Sequence, residues 1–224
     1  MGDRPQQDPQ SEIALDYWLF TKTDILPISN FVHLIVPITL IFVGTLAQLY
    51  KAPNVVIPAV AACVREGLDL KLILVGDGKH RSELEAQAKA LGIGDRVCFR
   101  GQLTTGDPVW TELDNADLFV LPSYQEGLPR AMIEAMARAL PCIGSTVGGI
   151  PELLLHEEMV PPGDVTALAS KIREVVTNPE RMARMSARNL EKAKEYTEEV
   201  IRERRNAFYR YVREQTELWL RETK

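Results

Sequence analysis

At 224 residues, with 46% hydrophobic and 25% charged side chains, the chain has the composition of a soluble globular domain with appendages. A formal net charge of −5 removes any global electrostatic case for nucleic-acid binding. The cysteines Cys63, Cys98 and Cys142 lack CxxC spacing, and His33, His80 and His156 are scattered. That excludes the usual signatures of a disulfide framework or a metal centre, and all three cysteines are expected to be reduced core residues of a cytoplasmic protein.

Residues 1–36 are expected to form an arm outside the main domain. The first dozen, MGDRPQQDPQSE, are polar and read as an arm rather than a signal peptide. Trp18, Phe20, Ile25, Leu26, Ile28 and Phe31 follow without a clear period, and Pro27 and Pro37 argue against one long helix. The apolar stretch 31–49 approaches the length of a membrane span, yet Pro37 interrupts it, and 38–44 reads as a buried strand.

From there, short β-branched runs at 38–44, 71–76, 96–101, 117–123 and 141–145 alternate with helical patterns at 54–66, 80–91, 107–114, 128–139 and 150–155. Near-continuous apolar strands between amphipathic helices predict a doubly wound parallel α/β sheet, Rossmann-like, over 37–178. Gly92 is placed to end the second helix and Asp164 to cap a helix over 164–177. Asn178-Pro179 breaks that helix, and 179–224 is expected to be a tail of helices at 179–195 and 197–221. The aromatics Phe208, Tyr209, Tyr211 and Trp219 of this tail show no single clean stripe.

The most informative stretch is PSYQEGLPRAMIEAMAR, residues 122–138. Glu126 stands in a Gly/Pro turn after an apolar run, and Glu134 lies eight residues later in an amphipathic segment. Eight residues is a little over two helical turns, so both carboxylates fall near one face. A loop that opens a helix after a buried strand is where α/β proteins hold phosphates. Two acids beside a phosphate site suit hydroxyl groups, which suggests a sugar at each end of a diphosphate.

Several segments in order, FVGTLAQLYKAP (42–53), LILVGDGKHRSELEAQAKALGIGDRVCFRG (72–101), ADLFVLPSYQEGLPRAMIEAMARALPCIGSTVGGIPELL (116–154) and VPPGDVTALASKIREVV (160–176), resemble the C-terminal, donor-binding half of a family 4 retaining glycosyltransferase of GT-B fold. The resemblance implies a hexosyltransferase-type enzyme that binds a nucleoside-diphosphate sugar for polysaccharide or glycoconjugate synthesis, with no cofactor and no metal. It implies catalytic roles for Glu126, against the hydroxyls of the transferred sugar, and for Lys51, against the diphosphate. Glu134 would accept hydrogen bonds from the ribose. Gly44, Thr45, Gly76, Gly127, Leu128, Arg130 and Ala131 would surround the diphosphate and sugar, with Val97 and Arg100 near the base. Pro129 has no N–H to offer.

Two positions depart from the pattern. Thr45 replaces an expected arginine and Ala52 an expected glycine. The short leading segment also leaves no room for the acceptor half, so a truncated, split or degenerate form is expected, with a separate acceptor-binding domain or subunit as partner. The family's last helix often crosses to that other domain.

Three alternative readings stand beside this one. A nicotinamide enzyme fails because no GxGxxG follows the first strand. A noncatalytic or split-subunit partner keeping the fold is the second. Peripheral membrane contact through Arg202, Arg204, Arg205, Arg210 and Arg213 is the third, but Glu198, Glu199, Glu203, Glu214 and Glu217 interleave with them and favour a solvated helix.

Overall fold

The computed structural model describes residues 37–222. The arm read over 1–36, including the irregular segment 13–36, lies outside the described residues. Six parallel strands form one sheet: β1 (Ile38–Val43), β2 (Leu70–Val75), β3 (Val97–Gly101), β4 (Leu118–Leu121), β5 (Cys142–Ser145) and β6 (Met159–Val160). Their order is β3-β2-β1-β4-β5-β6. The chain winds outward from β1 to β3, returns, and winds outward again from β4 to β6. The sequence order therefore reverses between β1 and β4, a topological switch point.

Eight α-helices accompany the strands among the described residues: α1 (Pro53–Arg65), α2 (Arg81–Ala90), α3 (Asp107–Asp114), α4 (Arg130–Ala137), α5 (Ile150–Leu153), α6 (Val165–Val176), α7 (Pro179–Ala193) and α8 (Glu198–Glu222). Helix α1 packs with α2 and α6, while α4 packs with α3 and α7. The two groups cover the two faces of the sheet, so every residue of β4 and β5 is buried, and their sequences carry no polar alternation.

Local chemistry explains the boundaries. Asp164 caps α6 by accepting from the Ala167 amide at 2.8 Å. Gly92 follows α2 with φ of 75°, the left-handed conformation that ends helices most cheaply at glycine. Pro58 lies inside α1 and cannot donate to the Asn54 carbonyl one turn back. The Gln87 side chain, on α2, donates to that carbonyl at 3.1 Å and replaces the lost bond.

Four features differ from the sequence reading. Strand β6 was not anticipated, because two residues between a 3-10 turn and a Pro-Pro-Gly segment carry no strand pattern. Cys63 and Cys142 are buried, whereas Cys98 is exposed. It lies on β3, an edge strand whose Cys98 and Arg100 face outward while Val97 and Phe99 pack against the core. Helix α7, which the sequence places in the tail, packs on α4 and α6. Finally, α8 has no buried residue, and at about 100° per residue Ile201, Phe208, Val212 and Trp219 fall within roughly 40° of one another. They form an exposed apolar stripe, flanked by Tyr209 and Tyr211. No helix among the described residues is long and apolar enough to cross a membrane.

Candidate functional site

In open α/β sheets, ligands bind outside the C-terminal ends of the strands at the switch point. Here the loops after β1 and β4 flank that point. The β1 loop runs through Gly44 and Thr45 to a 3-10 turn at Leu49–Lys51. The β4 loop carries Ser123, Tyr124 and Glu126 into the N-terminus of α4. The loops are tied together by the backbone: the Tyr124 amide donates to the Tyr50 carbonyl at 2.7 Å.

Across this junction Lys51 Nζ donates to Glu126 Oε1 at 2.7 Å. The Glu126 side chain is 7% exposed and Lys51 18%. Ser123 Oγ also donates to Glu126 Oε1, at 2.8 Å, and Ser145 Oγ at the end of β5 donates to the Ser123 carbonyl at 2.6 Å. Both bonds to the carboxylate fall on Oε1, which leaves Oε2 without a partner among the described residues. A chain of hydroxyls and one cation thus sets the Glu126 rotamer from two adjacent strand ends and a third loop.

Glycines let these loops approach. A Cβ on Gly44 would lie 2.6 Å from Lys51 Cδ, one on Gly76 1.9 Å from the Gly44 oxygen, and one on Gly148 2.0 Å from the Glu126 backbone oxygen. Ala52 is buried with φ of 59°, so the position at which the sequence reading expected glycine does take a left-handed conformation, here at alanine's greater cost.

Helix α4 opens on the same side. Its N-cap is Pro129, and the amides of Leu128, Arg130 and Ala131 make no hydrogen bond among the described residues. Three free N–H groups at the positive end of a helix form an anion-binding arrangement. One turn further in, Glu134 is 8% exposed and has no hydrogen-bond or ion-pair partner among the described residues. Burial pushes its carboxyl above the ordinary value, and the charge of Arg130 pulls it partly back. The Glu134 oxygens are not among the buried unpartnered polar atoms of the described residues, so they keep access to solvent, and a ligand's donors can take that place.

The structure brings Gly44, Thr45, Lys51, Gly76, Glu126, Gly127, Leu128, Arg130, Ala131 and Glu134 to the C-terminal side of the sheet. Thr45 Oγ1 accepts from the Ala47 amide at 3.1 Å, a local turn bond that any larger cationic side chain would forgo. Two residues behave differently. Val97 opens β3 opposite Leu72, at the far end of the strand from Gly101, so the structure does not gather it with the others. Arg100 is engaged by Glu112 at 2.9 Å on the outer side of the edge strand. Sequence reasoning missed Ser123, which bonds to Glu126 only three residues on, and Ser145, which reaches Ser123 from 22 residues away by a link that no local pattern marks. It also missed that Tyr50, Tyr124 and Leu128 are exposed beside the ion-paired residues, three of the four large hydrophobics exposed outside α8 among the described residues.

A doubly wound parallel sheet with a free helix N-terminus, a lysine–glutamate pair and a buried second glutamate at its switch point defines a Rossmann-like domain of the GT-B type. The model of the family described as "Glycosyl transferases group 1" matches residues 33–192, and the chain belongs to that family. It is 33% identical over 180 residues to N-acetyl-alpha-D-glucosaminyl L-malate synthase of Bacillus anthracis, covering 78% of this chain and 46% of that protein. Among solved structures, Alr3699/HepE of Anabaena, in complex with UDP and with UDP-glucose, superposes with a TM-score of 0.69 at 23% identity, over 79% of this chain and 49% of that one. The C-terminal domain of LpcC, a glycosyl transferase group 1 protein of Francisella tularensis, matches with a TM-score of 0.64 at 20% identity, over 71% of this chain and 86% of that one. The chain spans less than half the length of the curated relatives it matches.

Proposed function

We propose that the chain is the donor-binding half of a retaining glycosyltransferase of family 4, which holds a nucleoside-diphosphate sugar for transfer to an acceptor hydroxyl in polysaccharide or glycoconjugate synthesis. The observation that carries this reading is Glu134: a buried carboxylate without donors, one turn inside a helix whose three free amides open at the switch point. The ribose supplies the missing hydroxyl donors, and a carboxylate accepts two at once. The diphosphate lies on the amides of Leu128, Arg130 and Ala131. The sugar then falls beside Glu126, whose Oε2 is open to a hydroxyl. Lys51 offsets charge that develops on the departing phosphate, so its contribution grows toward the transition state.

The acceptor site belongs to a further domain or subunit, and the exposed stripe of α8 is its docking face. The three free cysteines accord with a reducing cytoplasmic setting. In Alr3699/HepE the bound molecules are UDP and UDP-glucose, which makes UDP the first probe for this chain. Calorimetric titration of UDP, GDP and ADP against the wild type and Glu134→Ala tests the reading. Binding of at least one nucleotide, weakened at least tenfold by the substitution, is expected. Absence of binding by all three, or equal binding by the variant, would overturn the donor site. A noncatalytic role keeping the fold is favoured by Thr45, whose hydroxyl is spent on its own turn. It predicts tight nucleotide binding without transfer in the presence of an acceptor-binding domain.

A further inference from the structure

The donor-site reading leaves an electrostatic question. A diphosphate gathers negative charge at one point, and the site must offset it. The loop after β1 offers a single cation, Lys51, already committed to Glu126 at 2.7 Å. At position 45 the loop offers a hydroxyl that is itself engaged by the Ala47 amide. Most other cations near this end of the sheet are also paired. Arg81 is held by Asp77 and Glu85, and Arg100 by Glu112.

Two cations at this end have no ion pair among the described residues, Lys79 and Arg130. Lys79 extends from the exposed turn after β2, and no contact ties it to the cleft. Arg130 is the first residue of α4, its side chain is exposed, and its own amide is one of the three free ones. It precedes Glu134 by four positions, hence on the same helix face, and its charge is felt by that carboxyl. Arg130 therefore opens the turn that carries the free amides and leads to the unpartnered acid, and its guanidinium has no ion pair among the described residues. A planar guanidinium grips phosphate oxygens in pairs, which a lysine cannot do.

We propose that Arg130 supplies the second positive charge of the diphosphate subsite, in place of a cation that the β1 loop lacks at Thr45. The proposal rests on the donor-site reading and names a phosphate-specific determinant within it. A role confined to phosphate separates nucleotides from nucleosides. Substituting Arg130 weakens the diphosphate and leaves the nucleoside alone. A cation introduced at position 45 restores what Arg130 gave.

The test uses the nucleoside diphosphate that binds tightest among UDP, GDP and ADP, with its nucleoside as control, at low and high salt. Arg130→Gln is expected to weaken the diphosphate about tenfold or more, the range of a charge-assisted hydrogen bond, with nucleoside affinity unchanged. The salt dependence of diphosphate binding should flatten in this variant. Arg130→Gln combined with Thr45→Arg should recover affinity to within a few-fold of the wild type. Because the Arg130 side chain is exposed, the variant folds normally, and retained nucleoside binding verifies this in the same titration. Diphosphate affinity unchanged in Arg130→Gln would overturn the proposal while leaving the donor site standing. Equal weakening of nucleoside and diphosphate would also overturn it, since the effect would then be structural. Absence of any nucleotide binding by the wild type would overturn both readings together.

Discussion

Lys51 and Glu126, separated by 75 positions, meet in a 2.7 Å ion pair where the strand order of the sheet reverses. The contact is a product of topology. Strands β1 and β4 are neighbours only because the chain returns from β3 to the middle of the sheet, and the two loops that follow them are thereby placed side by side. The pair also locks the Glu126 rotamer that the Ser123 hydroxyl supports from below.

Lys51→Met removes the cation from a carboxylate that is 7% exposed. The Ser123 hydroxyl remains, so the expected loss is about 1–3 kcal/mol, short of a fully buried broken pair. Glu126→Gln in the same background should recover part of it, with a coupling energy of about 1–2 kcal/mol. Urea unfolding of the wild type, both single variants and the double variant measures the cycle. Additive losses would show that the pair contributes nothing in solution.

Glu134 couples stability to function in opposite directions. Burial holds its carboxyl above the ordinary value, so the folded chain binds this proton more tightly than the unfolded chain does. Such a group contributes most below its unfolded value, and the contribution is lost as pH rises through the raised folded value. Above the raised folded value the ionised side chain is a net cost in the empty domain. Glu134→Gln should therefore raise the Tm above that value by on the order of 2–4 °C, about 1 kcal/mol for a domain of this size. The gain should shrink toward zero on acidification, when the wild-type carboxyl is itself neutral. Nucleotide affinity should fall in the variant, and should fall in the wild type as pH drops through the same raised value. Scanning calorimetry across pH checks the first pair of outcomes, and titration the second.

Gly148 and Gly67 both have positive φ, yet they face different surroundings. A Cβ on Gly67 meets nothing within 4 Å, whereas one on Gly148 would sit 2.0 Å from the Glu126 carbonyl oxygen. Gly67→Ala should cost only the conformational penalty, about 1–2 kcal/mol. Gly148→Ala must also displace the loop that carries Glu126, and about 2–4 kcal/mol is expected, together with weakened nucleotide binding. Chemical unfolding of the two variants side by side separates strain from collision.

Much of this fold is legible in the sequence because parallel strands buried on both faces write themselves as apolar runs. LFVL of β4 and CIGS of β5 are such runs, and Asp164 and Gly92 mark helix ends by local chemistry. Strand β6 is not legible, since two residues carry no period. The exposure of Cys98 is not legible either, because it depends on β3 being an edge strand, a consequence of strand order. The same reason hid the distance of Val97 from the other site residues. At the site, the spacing of Glu126 and Glu134 is local and could be read, while the Lys51–Glu126 pair, the Ser145–Ser123 link and the Gly148 contact arise from elements brought together by the sheet. The helix of α8 was legible, but its apolar stripe was obscured because Tyr209 and Tyr211 lie off it, while the aliphatic Ile201 and Val212 complete it with Phe208 and Trp219.

The central claim is that a nucleotide lies across the N-terminus of α4 with its ribose on Glu134. A crystal structure of this chain with a bound nucleoside diphosphate tests it most directly. The account predicts ribose hydroxyls within about 3 Å of the Glu134 carboxylate and phosphate oxygens at the amides of Leu128, Arg130 and Ala131. A nucleotide seated elsewhere, with Glu134 still lacking hydrogen-bond donors, would contradict it.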